Sequence, residues 1–117
     1  MAVRNKCILT YGLTKEEYEK LKRLPYKVVE ITKEMGSLKV SEILEGKEAE
    51  VPSEQEIKEK AIFYNDFMPQ EMNKMIQTTR KIVKGGILAV VTPISKNWSV
   101  NYYVDHLIQE REAYSKK

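Results

Sequence analysis

Four short β-type runs alternate with four helical ones along this chain, and that alternation restricts the fold more than any other feature. A strand, a helix and a second strand close into a parallel pair by a right-handed crossover, which points to an α/β architecture. The first strand is predicted over Lys6–Thr10 (KCILT), bounded by Tyr11 and Gly12. The helix after it opens on a capping box: Thr14 and Glu17 each satisfy the other's backbone N–H, with Leu13 and Tyr18 at the staple positions. Tyr18, Leu21 and Leu24 form its apolar stripe and Pro25 stops it. A second strand over Lys27–Thr32 leads to a short helix over Ser37–Leu44, capped by Ser37 and ended by Gly46.

The third strand is predicted over Ala61–Asn65, and a helix starts at Pro69, a residue favoured at the first helical position. Met72, Met75, Ile76, Thr79, Ile82 and Val83 trace its stripe before Gly85 and Gly86. The fourth strand, Ile87–Thr92, is apolar throughout, which predicts burial on both faces. The last helix runs from Trp98 or Ser99 to Tyr114, with Val100, Tyr103, Val104, Leu107 and Arg111 at helical spacing.

Residues 5–46 and 60–114 read as two versions of one βαβα pattern joined by a charged connection, 47–59. With KCILTYGLTKEEYEKL placed under KAIFYNDFMPQEMNKM, Lys6 meets Lys60, Leu9 meets Phe63, Leu13 meets Phe67, Glu17 meets Glu71 and Leu21 meets Met75. Two such units side by side in one domain spanning 1–117 give a three-layer α/β fold. Its four-stranded, mainly parallel sheet takes the order 2-1-3-4, with a pseudo-twofold axis between strands 1 and 3. Strand 4 is then an edge although it is the most apolar strand. An exposed apolar edge invites aggregation, so a homodimer or another protein partner is expected there.

Composition narrows the function classes. The 117 residues carry 20 Lys and Arg against 17 Asp and Glu, a net charge of +3, but the charges are interleaved and form no basic block. Nucleic-acid binding needs clustered cations and is disfavoured. No run approaches the ~18 apolar residues of a spanning helix, and MAVRNKCILTYG lacks the apolar core of a signal peptide. A cytoplasmic protein without a membrane role is expected. One cysteine and one histidine leave no disulfide framework and no Cys- or His-rich metal site. Neither G-x-x-x-x-G-K-[ST] nor G-x-G-x-x-G occurs, and Gly85-Gly86 precedes a strand, the wrong side for a phosphate loop. No cofactor, metal ligand or catalytic residue is assigned.

In open parallel sheets ligands favour the crevice at the carboxyl ends of the strands. Candidate small-molecule ligand residues are therefore Tyr11 and Gly12 after strand 1, Asn65 and Asp66 after strand 3, and Thr92 at the end of strand 4. Asp66 has the chemistry to bind a cation or take a proton, although Asn-Asp is also ordinary turn chemistry. Cys7 lies within strand 1 rather than in the loop after it, and reads as a buried structural thiol. Small phosphotransferase subunits of this general architecture place their cysteine in a Gly/Ser/Thr-rich loop after strand 1, and TYGLTKE has neither the cysteine nor that composition. Trp98, Tyr102, His106 and Glu110 fall four apart, which makes Trp98, Tyr102 and His106 interface candidates. His106, beside Asp105 and Glu110, reads as a surface or interface residue ahead of a general base.

The run ILAVVTPISKNWSVNYYVDHLIQERE resembles a small bacterial family known only as a domain of unknown function, number three-seven-eight-three. The shared pattern is an apolar strand, V-T-P, a short polar loop, Trp, and a helix ending in L-x-x-E-R. It is carried here by Ala89–Pro93, Trp98, Leu107, Glu110 and Arg111, and covers roughly Lys60–Glu112. The resemblance implies a bacterial cytosolic setting and carries no activity. The residues themselves favour a non-catalytic binding or interaction module, dimeric through strand 4. The alternative is a small enzyme or phosphotransfer-like protein using a crevice at the carboxyl ends of strands 1 and 3.

Overall fold

The strands are β1 (Cys7–Tyr11), β2 (Lys27–Ile31), β3 (Ala61–Asn65) and β4 (Ile87–Val90). The helices are α1 (Lys15–Leu21), α2 (Val40–Leu44), α3 (Pro69–Ile82) and α4 (Val100–Ser115), with 3-10 turns at Lys33–Ser37 and Ser95–Asn97. In this computed structural model, which describes residues 6–57 and 59–115, the strands form one open sheet in the order β2-β1-β3-β4. Asn5, where the first half was expected to start, and Lys58 of the connection lie outside the described residues.

The expected strand order holds, and the two outer pairs are parallel, Cys7 beside Lys27 and Ala61 beside Ile87. The central pair is antiparallel: Cys7 faces Asn65, Leu9 faces Phe63 and Tyr11 faces Ala61. A twofold axis normal to a sheet reverses one strand relative to its neighbour. Two equivalent βαβα halves meeting edge to edge therefore meet antiparallel.

Alternating side chains send the strands' two faces to two cores. Ile8, Ile62 and Tyr64 pack with Leu21 of α1 and Met75 of α3 on one side. Leu9, Tyr11 and Phe63 pack with Val40 and Ile43 of α2 and with Val100, Tyr103 and Val104 of α4 on the other. The sheet is thus the middle of three layers.

Several local features recur in both halves. Thr14 and Glu17 form the expected capping box, with bonds of 3.0 and 3.1 Å. In the second half Glu71 caps the Met68 N–H at 2.9 Å in the same way. Each capping glutamate is also held by a lysine of the opposite half: Lys60 reaches Glu17 at 3.0 Å and Lys6 reaches Glu71 at 2.6 Å. On the α2/α4 face Lys39 and Ser99 form a bridge, in which Val40 N–H donates to Trp98 O and Val100 N–H to Leu38 O, both at 3.0 Å. The halves differ in helix length, 7 residues in α1 against 14 in α3 and 5 in α2 against 16 in α4.

Four local expectations are corrected. β4 ends at Val90 rather than Thr92 and is only half-buried, with Val90 44% exposed, because an edge strand has a neighbour on one side only. The helix expected from Ser37 begins at Val40, behind a 3-10 turn, and the Ser37 hydroxyl instead donates to Val51 O. Ile76 of α3 is exposed and falls outside the buried stripe. Trp98 and Ser99 precede α4. Among the described residues no helix is long and apolar enough to cross a membrane.

Candidate functional site

The antiparallel centre decides where strand-end chemistry can occur. Carboxyl ends of β1 and β2 lie at one end of the sheet, those of β3 and β4 at the other. Tyr11 and Gly12 are therefore separated by the length of the strands from Asn65, Asp66 and Thr92. The crevice expected at the carboxyl ends of strands 1 and 3 does not exist as one site; there are two equivalent clefts.

The β1/β2 cleft is filled by the chain itself. Gly12 turns the backbone at φ +79°, and an added Cβ would meet Ile57 Cγ2 at 2.8 Å. Tyr11 Oη donates to Asn101 Oδ1 at 3.1 Å, and Asn101 Nδ2 donates to Ser53 Oγ at 3.1 Å. Ser53 N–H donates to Glu34 O at 3.0 Å and Lys33 pairs with Glu56 at 3.0 Å. The space bounded by Tyr11, Gln55, Glu56, Asn101, Val104 and Asp105 is too tight for a water molecule. Burial pushes the Tyr11 hydroxyl's pKa up, and the Asp105 carboxylate adds to the effect. Tyr11 is a packed strut between sheet and connection.

The β3/β4 cleft is open. Asn65, Asp66, Val91, Thr92, Pro93 and Lys96 line a space of about 380 Å³. Asp66 occupies the position of Gly12, at φ +67°, and its carboxyl-bearing side chain is exposed. Thr92 and Ser95 bind each other's backbone and hydroxyl groups, with Thr92 N–H to Ser95 Oγ at 2.9 Å, which fixes the loop that presents Lys96. The structure brings Asn65, Asp66 and Thr92 together and leaves Tyr11 and Gly12 out. Beneath this cleft Cys7 is buried. Burial pushes its thiol pKa up; the charges of Lys27 and Lys96 and a hydrogen bond with Asn65 pull the other way without prevailing. A protonated thiol in that position packs rather than attacks.

The interface candidates form a ladder of rings. Trp98 lies edge-on to Tyr102 at 5.1 Å and to His106 at 5.0 Å, and Tyr102 and His106 stack at 6.3 Å. His106 Nε2 is 3.1 Å from Glu110. Tyr103 ties this ladder to β4: its ring is 5.5 Å from Trp98 and its hydroxyl donates to Val90 O at 2.8 Å. Tyr102 is 55% exposed, Ile94 70%. Among the described residues no group of three or more His, Cys, Asp and Glu side chains is placed to hold a metal ion.

Lys96 and Asn101 were not singled out by sequence. Lys96 lies on the 3-10 turn Ser95–Asn97, whose register relative to β4 only the folded loop defines. Asn101 is a polar residue one position after the apolar stripe begins, a weak signal that becomes specific only when Ser53 is seen beside it.

Residues 60–114 match the family model described as Domain of unknown function (DUF3783), so the resemblance drawn from the V-T-P…Trp…L-x-x-E-R pattern is shown over the second half of the chain. That span is one βαβα half, from the start of β3 to the end of α4. No curated protein and no solved structure matches the chain.

Proposed function

We propose that this chain is a non-catalytic α/β interaction module, folded as one domain from two copies of a βαβα unit, that acts in the bacterial cytoplasm as a homodimer. The observation that carries the proposal is the difference between the two sheet edges. β2 places Lys27 and Glu30 in solvent, the charges that natural edges use against unwanted pairing. β4 is Ile-Leu-Ala-Val and carries no charge. Ile87 and Val91 direct their N–H groups to Lys60 O and Tyr64 O of the β3 side, so the alternation of a parallel ladder directs the N–H groups of Leu88 and Val90 to the free edge. Val90 at the end of this strand, Ile94 in the loop after it and Tyr102 on α4 are all exposed. An uncharged apolar edge is self-complementary, as an isologous dimer requires, and Trp98, Tyr102 and His106 supply the aromatic flank such interfaces favour. Neither Cys7, protonated and buried, nor His106, paired with Glu110 at the surface, has the partners of a nucleophile or a general base in a cleft.

Sedimentation of the full chain at tens of micromolar tests the proposal. A dimer is expected, converted to monomer by Val90→Lys with little change in thermal unfolding. A wild-type monomer at high micromolar concentration sinks it. The ligand-binding or enzymatic alternative keeps only the half of its crevice formed by Asn65, Asp66 and Thr92. A small molecule whose thermal shift disappears in Asp66→Ala favours that alternative.

A further inference from the structure

The open cleft has a precedent inside the same molecule. The twofold correspondence carries Tyr11, Gly12, Lys33 and Gly36 of the first half onto Asn65, Asp66, Pro93 and Lys96 of the second. In the first half every one of these positions lies under the connection or under the residue that binds it. Tyr11 lies beside Gln55 and Glu56, Gly12 under Ile57, and Lys33 on Glu56. Gly36 packs against Asn101, the residue that holds Ser53. In the second half Asn65, Asp66, Pro93 and Lys96 line the open cleft of about 380 Å³. The first cleft therefore shows what the second is shaped to receive: an extended stretch of polypeptide laid across the strand ends.

We infer that the β3/β4 cleft binds an extended segment of a partner protein with a carboxylate placed for Lys96, in the manner in which residues 53–57 occupy the β1/β2 cleft. The inference deepens the interaction-module reading and does not require the β4 dimer. Two substitutions between the clefts state which segment fits. The cation that meets Glu56 at Lys33 is moved to Lys96, whose ammonium is exposed, so the segment carries a carboxylate opposite Lys96. Where Gly12 leaves room for Ile57, Asp66 carries a Cβ, and a Cβ at that position comes within 2.8 Å of an isoleucine methyl. The segment therefore has a small residue where the connection has Ile57.

Two fluorescent peptides with the sequence of residues 47–59 probe this, one natural and one with Ile57→Gly, each titrated into the full-length protein. The glycine peptide is expected to bind saturably and the natural one about tenfold more weakly. Lys96→Glu, an exposed change checked by thermal unfolding, is expected to weaken the glycine peptide by about tenfold. Amide shifts are expected at Asn65, Asp66, Thr92 and Lys96. Absence of saturable binding by either peptide, equal binding by both, indifference to Lys96→Glu, or shifts centred on Tyr11 and Gln55 overturns the inference. Sedimentation of the same samples reads the dimer independently, so each reading fails on its own evidence.

Discussion

At one end of the sheet Gly12 lies beneath Ile57; at the other, its counterpart Asp66 faces solvent. The backbone makes the same left-handed turn at both places, φ +79° and +67°. The positive φ is thus a requirement of the strand-to-helix turn, and the choice of residue reflects what lies above it. Glycine is needed where chain passes overhead. Aspartate, which tolerates this region better than most residues, serves where the turn is open. Pseudo-equivalent positions separate what a fold demands from what a surface is for.

The comparison breaks most visibly by exchanging the two turn residues. Gly12→Ala adds both the left-handed penalty and a collision with Ile57, and is expected to cost about 2–4 kcal/mol in urea unfolding. Asp66→Gly is expected to change stability by no more than about 0.5 kcal/mol. Comparable losses at both sites would show that the turns, not their covers, set the residue.

The two capping glutamates give the next difference. Glu17 accepts bonds from Thr14 N–H, Lys84 N–H and Lys60, whereas Glu71 serves Met68 N–H and Lys6 and is more exposed, 27% against 11%. Glu17→Ala is expected to cost about 2–3 kcal/mol, because it removes the acceptor of two amides and the ion-pair partner of Lys60; Glu71→Ala is expected to cost about 1 kcal/mol. Burial raises the pKa of the Glu17 carboxyl, but the Thr14 and Lys84 amides and the Lys60 ammonium outweigh burial and hold it below the usual carboxylate range. Its contribution is thus complete above that range and is lost as pH falls through the depressed value. The gap between wild type and Glu17→Ala in unfolding free energy should close on acidification.

The smallest effect is at the strap. Asn101→Ala removes the link between Tyr11 and Ser53 and is expected to cost about 1 kcal/mol. Hydrogen exchange should quicken at residues 53–57 and stay unchanged around Thr92. Uniform quickening would mean that the connection is part of the core rather than an occupant of one cleft.

Much of this molecule was legible in advance where a local rule has one reading. Ala61–Asn65 and the helix start at Pro69 fall where alternation and proline chemistry put them. The aligned pairs Lys6/Lys60 and Glu17/Glu71 marked, without explaining, the crossed ion pairs. Strand direction was not legible, since alternating β and α elements say nothing about how two finished halves meet. That one unknown placed Tyr11 and Asn65 in a common crevice they do not share. The apolar run Ile87–Thr92 predicts burial on both faces because hydrophobicity alone cannot distinguish a central strand from an edge. The stretch 47–59 reads only as a charged connection because its charges hide the few contacts, Ser53, Glu56 and Ile57, by which it fills a cleft.

The crossed lysines also bear on how the chain reaches this structure. Lys60 and Glu17 are 43 positions apart, Lys6 and Glu71 are 65 apart, and the central β1–β3 ladder joins the same distant stretches. Neither helix start receives its full set of bonds until the other half has docked. Contacts of such long range are made only after the entropy of closing the intervening loop has been lost, which slows folding and concentrates the barrier in a single event. Closing the centre of the sheet and completing the two helix caps are thus coupled events.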